Sequence, residues 1–366
     1  MFKYKLTTIV MLLSVALLTS ACSFTLGTSG SKVTSVNGGL YKSIDSGDRW
    51  KQQSIISSVN DSIVSFASAN ITAITLDPGD NEAVYLGTHK NGMLYSYDGA
   101  KSWQVATNLG QRAINDVKVS PADRCSIYVA TENKIYKSID CSRNWKQIYF
   151  DNEDTARIIS LAIDPVNSAI VYAGTSRGEL IQSANGGKSW STKYRFNPTS
   201  KNSSQNSIVK VIINPSNVNN IWVATDKEGI YSSADKGRIW TSYKEEFLEI
   251  NKKAIYINDI AVSSNNSKQV VVATDSGLIK SADLGGHWRN IEVIPPSKGT
   301  TINRVALSAD DANIIYYATD TSLGVSKDNG QTWESKKLPS KRYSSALALD
   351  YKDSSVVYLG VFYLEQ

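Results

Sequence analysis

The chain has 366 residues, a formal net charge of +5, 41% hydrophobic residues and 20% charged residues. A hydrophobic share of this size can fill the core of one large domain or two ordinary ones, which excludes a largely disordered chain. The positive charge is small and is not gathered into a basic run, so the composition argues against nucleic-acid binding. Nineteen Tyr and eight Trp against only eight Pro favour a chain rich in β-strands.

The N-terminus has the pattern of an export signal. Lys3 and Lys5 precede an apolar stretch that runs from Leu6 to Leu18. Such a stretch is too short to span a bilayer as a helix, but its length suits the core of a signal peptide. We therefore predict a secreted chain whose signal peptide covers residues 1–21.

A Thr-Ser-Ala-Cys run ending at Cys22 follows this signal. It resembles the lipobox of bacterial lipoproteins, although Thr19 stands where Leu is usual, and the resemblance implies that Cys22 is acylated. The alternative is an ordinary cleaved signal with an incidental Cys. Acylation would anchor the protein in the extracytoplasmic cell envelope, at the outer membrane or the outer face of the cytoplasmic membrane, and residues 22–37 would form a flexible tether.

A short phrase, Ser-x-Asp-x-Gly-x-x-Trp, recurs through the rest of the chain and ends at seven of the eight Trp residues. Four copies are complete, whereas Ala100 and Ser142 replace the Gly in two copies and Asn185 replaces the Asp in a third. Successive Trp residues lie 53, 42, 45, 50, 48 and 45 residues apart, the length of a four-stranded propeller blade. The Asp and Trp positions, which we interpret as structural, are Asp45 and Trp50, Asp98 and Trp103, Asp140 and Trp145, Asn185 and Trp190, Asp235 and Trp240, Asp283 and Trp288, and Asp328 and Trp333.

Each phrase predicts a self-contained hairpin. The Asp carboxylate can accept hydrogen bonds from backbone N–H groups in the turn that follows it. The Gly supplies a positive φ that other residues adopt at a cost. The Trp starts the returning strand and packs its ring under the turn.

Most hairpins follow a second unit, a pair of strands that ends in a small residue and Thr, such as 71–88. The chain opens at Gly39 with a hairpin that has no such pair, and it closes with a pair, ending at Gly360, that has no hairpin. The two incomplete ends can complete one blade, which leaves no open sheet edge in the ring. The sequence therefore predicts one all-β domain over 38–366, a seven-bladed β-propeller with four-stranded antiparallel blades.

These repeats resemble the Asp-box, or bacterial neuraminidase repeat, superfamily over residues 39–361. The Asp-Pro turns, Tyr-Ala-Gly-Thr strand and Trp-ended hairpins are similar to those of the sortilin ectodomain, xyloglucanase-type glycoside hydrolases and photosystem II assembly factors. The resemblance implies that the Asp boxes lie on the outer part of each blade, away from the central funnel. One fold hosts many activities, so the resemblance does not choose among these functions.

Several charged residues and one Tyr lie at or near the start of a predicted innermost strand, where they could face the funnel. The arginines could form an anion-binding cluster or be placed there by chance, and the two carboxylates could face the funnel or be satisfied by neighbouring blades. These candidates for funnel binding are Arg112, Asp116, Arg157, Asp259, Arg304, Arg342 and Tyr343.

The sequence does not decide whether the protein is an enzyme, but it favours a protein without catalytic activity. Sialidases of the superfamily carry an early Arg-Ile-Pro signature and an arginine triad, usually on six blades, and this sequence lacks that signature. Xyloglucanases place paired carboxylates between two propellers, and this sequence predicts one. No catalytic residue is therefore assigned.

No metal site or cofactor is predicted. His89 and His287 are far apart in sequence and have no partner at the spacing of zinc ligands. The acidic run 151–154 lacks the spacing of a known calcium loop, and we interpret it as a solvated loop.

Cys125 and Cys141 are predicted to form a disulfide. One opens the second strand of its blade and the other lies in the turn after the third strand, so antiparallel pairing brings them to the same rim. In an oxidising compartment two such thiols should bridge, whereas two free thiols would suit a reducing one.

Long loops between blades, at 53–69, 193–207, 243–256 and 290–301, carry aromatic and basic residues. Such loops on a rigid scaffold suit a protein or glycan partner. The sequence favours a monomeric, non-catalytic, membrane-anchored scaffold that binds proteins of the cell envelope. The alternative is a cell-surface glycan-binding or glycoside hydrolase-like propeller. An acidic pair or arginine cluster in the funnel would favour that alternative.

Overall fold

The computed structural model of the protein describes residues 37–59, 62–196, 206–266, 268–294 and 300–363. The predicted signal peptide, Cys22 and nearly all of the tether lie outside these residues. Seven four-stranded antiparallel sheets follow one another along the described chain, which confirms the predicted seven-bladed β-propeller. No helix within the described ranges is long and apolar enough to cross a bilayer.

The strands are numbered in chain order and grouped into blades 1 to 7, of which blade 7 holds both ends of the domain. The elements are β1 (Leu40–Ser43) and β2 (Lys51–Gln52) of blade 7; the separate hairpin β3 (Ile55–Val59) and β4 (Ser62–Ser65); β5 (Ile71–Asp77), β6 (Asp80–Thr88), β7 (Met93–Ser96) and β8 (Gln104–Val105) of blade 1; a 3-10 turn (Thr107–Leu109); β9 (Ile114–Ser120), β10 (Asp123–Thr131), β11 (Lys134–Ser138) and β12 (Lys146–Phe150) of blade 2; β13 (Ile158–Ile163), β14 (Val171–Thr175), β15 (Glu179–Ser183) and β16 (Ser191–Arg195) of blade 3; β17 (Ile208–Ile213), β18 (Ile221–Thr225), β19 (Ile230–Ser233) and β20 (Thr241–Ser242) of blade 4; helix α1 (Lys244–Ile250); β21 (Ile257–Val262), β22 (Val270–Thr274), β23 (Gly277–Ser281) and β24 (Arg289–Ile291) of blade 5; β25 (Arg304–Leu307), β26 (Ile315–Ala318), β27 (Ser322–Ser326) and β28 (Glu334–Lys337) of blade 6; and β29 (Tyr343–Leu349) and β30 (Val357–Phe362) of blade 7.

The second strand of each blade is the most apolar, because neighbouring blades cover both of its faces. β18 and β22, for example, are buried at every residue. A strand buried on both faces has a continuous apolar run instead of an alternating one. The hydrophobic clusters accordingly lie between successive blades, as where Trp222 of blade 4 meets Ile260 and Val272 of blade 5.

The ring closes within blade 7, as predicted. β1 pairs antiparallel with β30, so that Leu40 faces Gly360 and Ser43 faces Val357. Each innermost strand contacts the next around the ring, including β29 with β5. The central channel is therefore lined by β5, β9, β13, β17, β21, β25 and β29.

The Asp box of blade 4 illustrates how the hairpins are held. The Ser233 hydroxyl donates to Asp235 Oδ1 at 2.8 Å, and the Ile239 N–H donates to the same oxygen at 2.9 Å. The Gly237 N–H donates to Ser233 Oγ at 2.8 Å. The Ile239 N–H, followed by the Ser233 hydroxyl, holds the pKa of Asp235 below its ordinary value. These contacts tie the third strand of the blade to the turn that leads into the fourth.

Two boxes that lack the Gly keep the same turn. Gly237 has φ +81°, and Ala100 and Ser142 occupy the corresponding position with φ values of 71° and 69°. Cys141, which precedes Ser142, also has a positive φ of 56°. A disulfide joins Cys141 to Cys125 across this turn. The blade 2 turn therefore has two consecutive non-Gly residues in the left-handed region and a covalent link beside them.

In several blades a side chain of the preceding blade is also hydrogen-bonded to the box, a feature that the repeat phrase does not predict. Lys42 Nζ donates to the Gly99 carbonyl at 2.9 Å, and Tyr172 Oη donates to the Lys236 carbonyl at 3.3 Å. The fully buried Lys280 occupies the same place in blade 5 as Lys42 does in blade 7, and it donates to both the carbonyl and the side-chain oxygen of Asn329. Burial lowers the pKa of Lys280 to about 8.

Two of the segments predicted as long loops have structure of their own. The 243–256 segment contains α1, whose Phe247 is fully buried with its ring 5.1 Å from that of Trp288. The 53–69 segment contains the β3–β4 hairpin. Neither element belongs to the repeat, so the periodic pattern gave no indication of them.

Candidate functional site

The propeller has two faces of different construction. Because the strands of a blade alternate in direction, the seven Asp boxes and the turns between first and second strands lie at one face, here called the box face. The loops between blades, the turns between second and third strands, and the starts of the innermost strands lie at the other, here called the loop face. The predicted funnel residues lie toward the loop face.

Strand register sets one residue of each innermost strand at the same level of the channel. Each of these residues pairs with the small residue that precedes the last Thr or equivalent residue of the second strand. The level is formed by Ala73, Asp116, Ser160, Lys210, Asp259, Arg304 and Ala346. The register therefore aligns three of the predicted candidates with a lysine that sequence reasoning missed.

Asp116 is buried and its carboxylate is engaged by the next blade. The Leu161 N–H of blade 3 donates to Oδ2 at 2.8 Å. The Val117 N–H and Lys118 Nζ donate to Oδ1 at 2.9 and 2.6 Å. The carboxylate thus links β9 to β13.

Asp259 occupies the equivalent position in blade 5 and makes equivalent contacts. The Val305 N–H of blade 6 donates to Oδ2 at 3.2 Å, and the Ile260 N–H donates to Oδ1 at 2.9 Å. Lys210 of blade 4 donates to Oδ1 at 2.7 Å. Of the two alternatives left by the sequence, the geometry of both aspartates matches carboxylates satisfied by neighbouring blades.

Arg304 is half-buried and is held by neutral oxygens. Its Nε donates to the Ser345 carbonyl at 2.6 Å, and its Nη1 donates to the Asn303 carbonyl at 2.6 Å and the Asn258 carbonyl at 3.2 Å. Tyr343 lies beside it, with Oη 3.4 Å from Nη1. No carboxylate of the described residues lies within ion-pair distance of Arg304.

The other predicted arginines contact different parts of the loop face. Arg112 stacks on the Tyr136 ring at 4.7 Å, and Arg157 lies beside a surface cavity between blades 2 and 3. Arg342 lies 5.5 Å from the centre of the Tyr363 ring. The four arginines therefore do not share one set of contacts, and the structure brings only Arg304 and Tyr343 of the predicted set into direct contact.

Further cationic and aromatic side chains lie on the loop face where blades 6, 7 and 1 adjoin. Tyr363 is 54% exposed, and its backbone N–H donates to the Asn70 side chain at 2.7 Å. The Asn70 carbonyl in turn accepts the His89 N–H at 2.9 Å. We call Arg304, Arg342, Tyr343, Tyr363 and His89 the mouth patch. The sequence analysis does not select Tyr363 or His89 as funnel candidates, since neither lies in a motif.

Two neighbouring cavities lie on the loop face where blade 2 meets blade 3, with volumes of ≈ 470 and ≈ 420 Å³. The acidic run 151–154 forms the wall between them. Asp151 is buried, and Arg177 Nη2 donates to its Oδ2 at 2.7 Å. Burial, followed by the Asp151 carboxylate, raises the pKa of Tyr149 to about 12. Among the described residues no group of three or more His, Cys, Asp or Glu side chains is arranged to hold a metal ion.

Comparison with known proteins shows which solved structures have a similar fold. No protein-family model matches the chain, and no curated protein matches it. A GH74 xyloglucanase from Xanthomonas campestris superposes with a TM-score of 0.66 and 17% identity, covering 86% of this chain and 52% of that chain. The GH74 enzyme of Niastella koreensis gives a TM-score of 0.64 and 18% identity, covering 88% of this chain and 53% of that chain. This chain thus spans about half the length of these enzymes.

Single propellers match over most of their length. YCF48 from Cyanidioschyzon merolae superposes with a TM-score of 0.61 and 17% identity, covering 80% of this chain and 96% of that chain. A structure of YCF48 bound to D1 peptide gives a TM-score of 0.59 and 14% identity, covering 80% and 93%. Likeness at this level of identity is a likeness of fold, and the chain shares the β-propeller fold of the xyloglucanases and of YCF48.

Proposed function

We propose that this chain is a non-catalytic protein-binding scaffold, held at the extracytoplasmic surface of a membrane by a lipid on Cys22. Its signal peptide would cover residues 1–21, its tether residues 22–37 and its propeller residues 38–366. The mouth patch would bind an extended segment of a partner protein that carries a carboxylate.

This proposal rests on the hydrogen bonds that the two channel carboxylates already accept from neighbouring blades and lysines. Glycoside hydrolysis needs a pair of carboxyl groups that flank the scissile bond, one to donate a proton and one to attack or to activate water. Asp116 and Asp259 each accept a backbone N–H of the next blade and a lysine ammonium instead. Carboxylates engaged in this way serve to join blades.

The mouth patch has the composition of a protein-binding surface. Arg and Tyr are enriched at interfaces and carry much of the binding energy there. The guanidinium of Arg304 has only neutral partners among the described residues, so a carboxylate could add a charge-assisted hydrogen bond. The match to YCF48 over almost its whole length, in one case bound to a peptide, supports binding by a single propeller.

The proposed anchor would keep the mouth patch close to the membrane. The Asn37 carbonyl accepts a hydrogen bond from Ser340 Oγ at 2.6 Å, so the tether would leave the propeller two residues from Arg342 on the loop face. A flexible tether over 22–37 has a root-mean-square length of roughly 20 Å. A partner segment at the membrane surface would therefore lie within reach.

The test is an in-cell crosslink and pull-down of the full-length protein from native envelopes, read by mass spectrometry. The wild type and Arg238→Gln, a change to an exposed arginine of the box face, should recover the same stoichiometric protein partner. Arg342→Gln combined with Tyr363→Ala should reduce that recovery at least tenfold, because it removes one guanidinium and the exposed ring of Tyr363 from the mouth patch. Recovery of cell-wall sugar without an enriched protein would contradict the scaffold.

The glycoside hydrolase alternative draws support from the likeness to xyloglucanases alone. It predicts release of reducing ends from xyloglucan by the purified propeller. The scaffold proposal predicts no release above that of a boiled sample, and turnover that disappears in Asp259→Asn would overturn it.

A further inference from the structure

The junction of blades 2 and 3 carries an exposed aromatic ring between two cavities. Phe150 ends β12, is 46% exposed, and lines both the ≈ 470 Å³ cavity and the ≈ 420 Å³ cavity. Each volume lies in the range of small-ligand sites. The ring is therefore the shared floor of two adjoining spaces, on the outer part of the loop face and separate from the mouth patch.

The wall of the second cavity is fixed before any ligand binds. Arg177 Nη2 donates to Asp151 at 2.7 Å and to Glu179 at 2.8 Å. Arg195 Nε lies 3.0 Å from the same Glu179. A network of four charges holds these side chains in place, which lowers the conformational cost of binding.

Several main-chain groups around the cavities are hydrogen-bonded within the protein. The Asp151 N–H donates to the Asn133 carbonyl at 2.9 Å, and the Asn133 side chain donates to the Asp151 carbonyl at 2.9 Å. The Ile158 N–H donates to the Glu132 carbonyl at 2.7 Å. β12, which Phe150 ends, is the outer edge strand of blade 2, so an extended peptide is the competing ligand for the test. The side chains that line the two cavities include many hydrogen-bond donors and acceptors, which suits a ligand recognised by its hydroxyl groups.

The charges that line the two cavities nearly balance. Five carboxylates face four cationic side chains, so no strong field selects a phosphate or a polycation. In the first cavity Glu132, Asp154, Lys134 and Arg157 form no ion pair with any described residue. Lys134 Nζ lies beside the Phe150 ring, 5.6 Å from its centre.

A sugar fits this arrangement of groups. A hydroxyl both donates and accepts, so it can bond to a carboxylate and a cation in turn. The apolar C–H face of a pyranose can pack on the exposed ring of Phe150, which would bury apolar area on both partners. From these features we infer that the junction of blades 2 and 3 binds a neutral oligosaccharide. One sugar unit lies on Phe150 and the adjoining units occupy the two cavities. This inference goes beyond the proposed protein scaffold and does not depend on it.

The test is isothermal titration calorimetry of the whole propeller with four neutral hexasaccharides: cellohexaose, xylohexaose, maltohexaose and chitohexaose. At least one should bind with saturable, salt-insensitive heat. Phe150→Ala should weaken that binding at least tenfold. Asp154→Asn should weaken it less, because one hydrogen-bonding group is altered and the ring remains.

Tyr256→Ala is the matched control, since Tyr256 is an exposed aromatic of the loop face, 42% exposed, at the junction of blades 4 and 5. It should leave the affinity unchanged. Absence of saturable binding for all four sugars would overturn the inference, as would an equal loss in Tyr256→Ala. A third outcome is that the wild type binds a mixed-charge peptide but none of the four sugars. If Phe150→Ala abolishes that peptide binding, the junction is a peptide site instead. The mouth-patch variant Arg342→Gln should bind sugar normally, which separates this test from that of the scaffold.

Discussion

On the box face, blades that differ in sequence make the same contacts, whereas on the loop face each junction is built differently. In the boxes of blades 1 and 3, Asp98 and Asn185 both accept the hydroxyl of a preceding Ser and the N–H of a Ser four residues later. On the loop face, by contrast, one junction holds helix α1, another the β3–β4 hairpin and a third the Asp151–Arg177 pair. The contacts that repeat from blade to blade hold each blade together. The loop face differs from one junction to the next, so it is the surface on which a ligand site can differ as well.

The largest effect is expected at the buried link from Lys280 of β23 in blade 5 to the box of blade 6. Burial lowers the pKa of Lys280 to about 8 from an ordinary value of 10.5. The buried ammonium therefore lowers the free energy of unfolding, and this destabilisation has its full size below pH 8. As the pH rises from 8 toward 10.5 the folded state releases this proton before the unfolded state does, so folding stability increases.

Lys280→Met removes this titration. The stability of the wild type relative to the variant should rise by up to about 3 kcal/mol between pH 7 and pH 10. Chemical denaturation at a series of pH values measures the difference. Lys42→Met is the control, because Lys42 makes the corresponding link and Glu82 and Asp350 partly offset the lowering of its pKa by burial. A flat difference for Lys280→Met would contradict the buried-charge account.

A change in one box tests the contrast between the faces directly. Asp98 Oδ1 accepts the Ser96 hydroxyl at 2.7 Å and the Lys101 and Ser102 N–H groups at 2.9 Å each. Asp98→Ala leaves these donors without a protein partner and should lower the free energy of unfolding by about 2 kcal/mol. Thermal and urea unfolding of the purified propeller give the value.

Two matched variants sharpen this result. Asp98→Asn should cost less than half as much, because Asn185 makes the same contacts in blade 3. Asp154→Ala on the loop face should change stability by less than about 0.5 kcal/mol. Equal losses in Asp98→Ala and Asp154→Ala would remove the distinction between the two faces.

The smallest effect is expected where one box departs from the others. Ser142 has φ 69° and a buried hydroxyl without a hydrogen-bond partner. Ser142→Gly removes both features and should raise the free energy of unfolding by about 1 kcal/mol. Ala100→Gly, which relieves the positive φ but also deletes a buried methyl group, should gain less. Differential scanning calorimetry under non-reducing conditions compares the two, and a destabilised Ser142→Gly would mean that the disulfide has already relaxed this turn.

The fold could be predicted from sequence because its determinants are local and repeated. The contacts of an Asp box lie within four residues of the Asp, so the phrase that contains them can be read without knowledge of the rest of the chain. The closing blade could be predicted because two incomplete repeats at the ends of the domain match each other. Elements outside the repeat, such as α1, had no comparable signal.

The candidate site could be predicted only in part, because its contacts cross blades. Its position in the strand marks Asp116 as a channel candidate, but its partner, the Leu161 N–H, is 45 residues away. Arg112 was grouped with Arg304 by position in the strand, yet it stacks on Tyr136 of its own blade. Position along a strand fixes the level of a residue in the channel, whereas side-chain direction depends on neighbours that the motif does not specify.

The pairing of β1 with β30 has a consequence for the order in which the molecule can be completed. The first hairpin of the propeller is synthesised at the start of the domain, but its partner is the last strand of the propeller to emerge, Val357–Phe362. Bringing together segments so distant in sequence carries a large loop-closure entropy and is slow relative to forming a single blade. Until that step, strands at both ends of the series remain unpaired. A propeller that loses β30 to proteolysis also loses the strand that pairs with β1, so the ring can close only after this strand has been made.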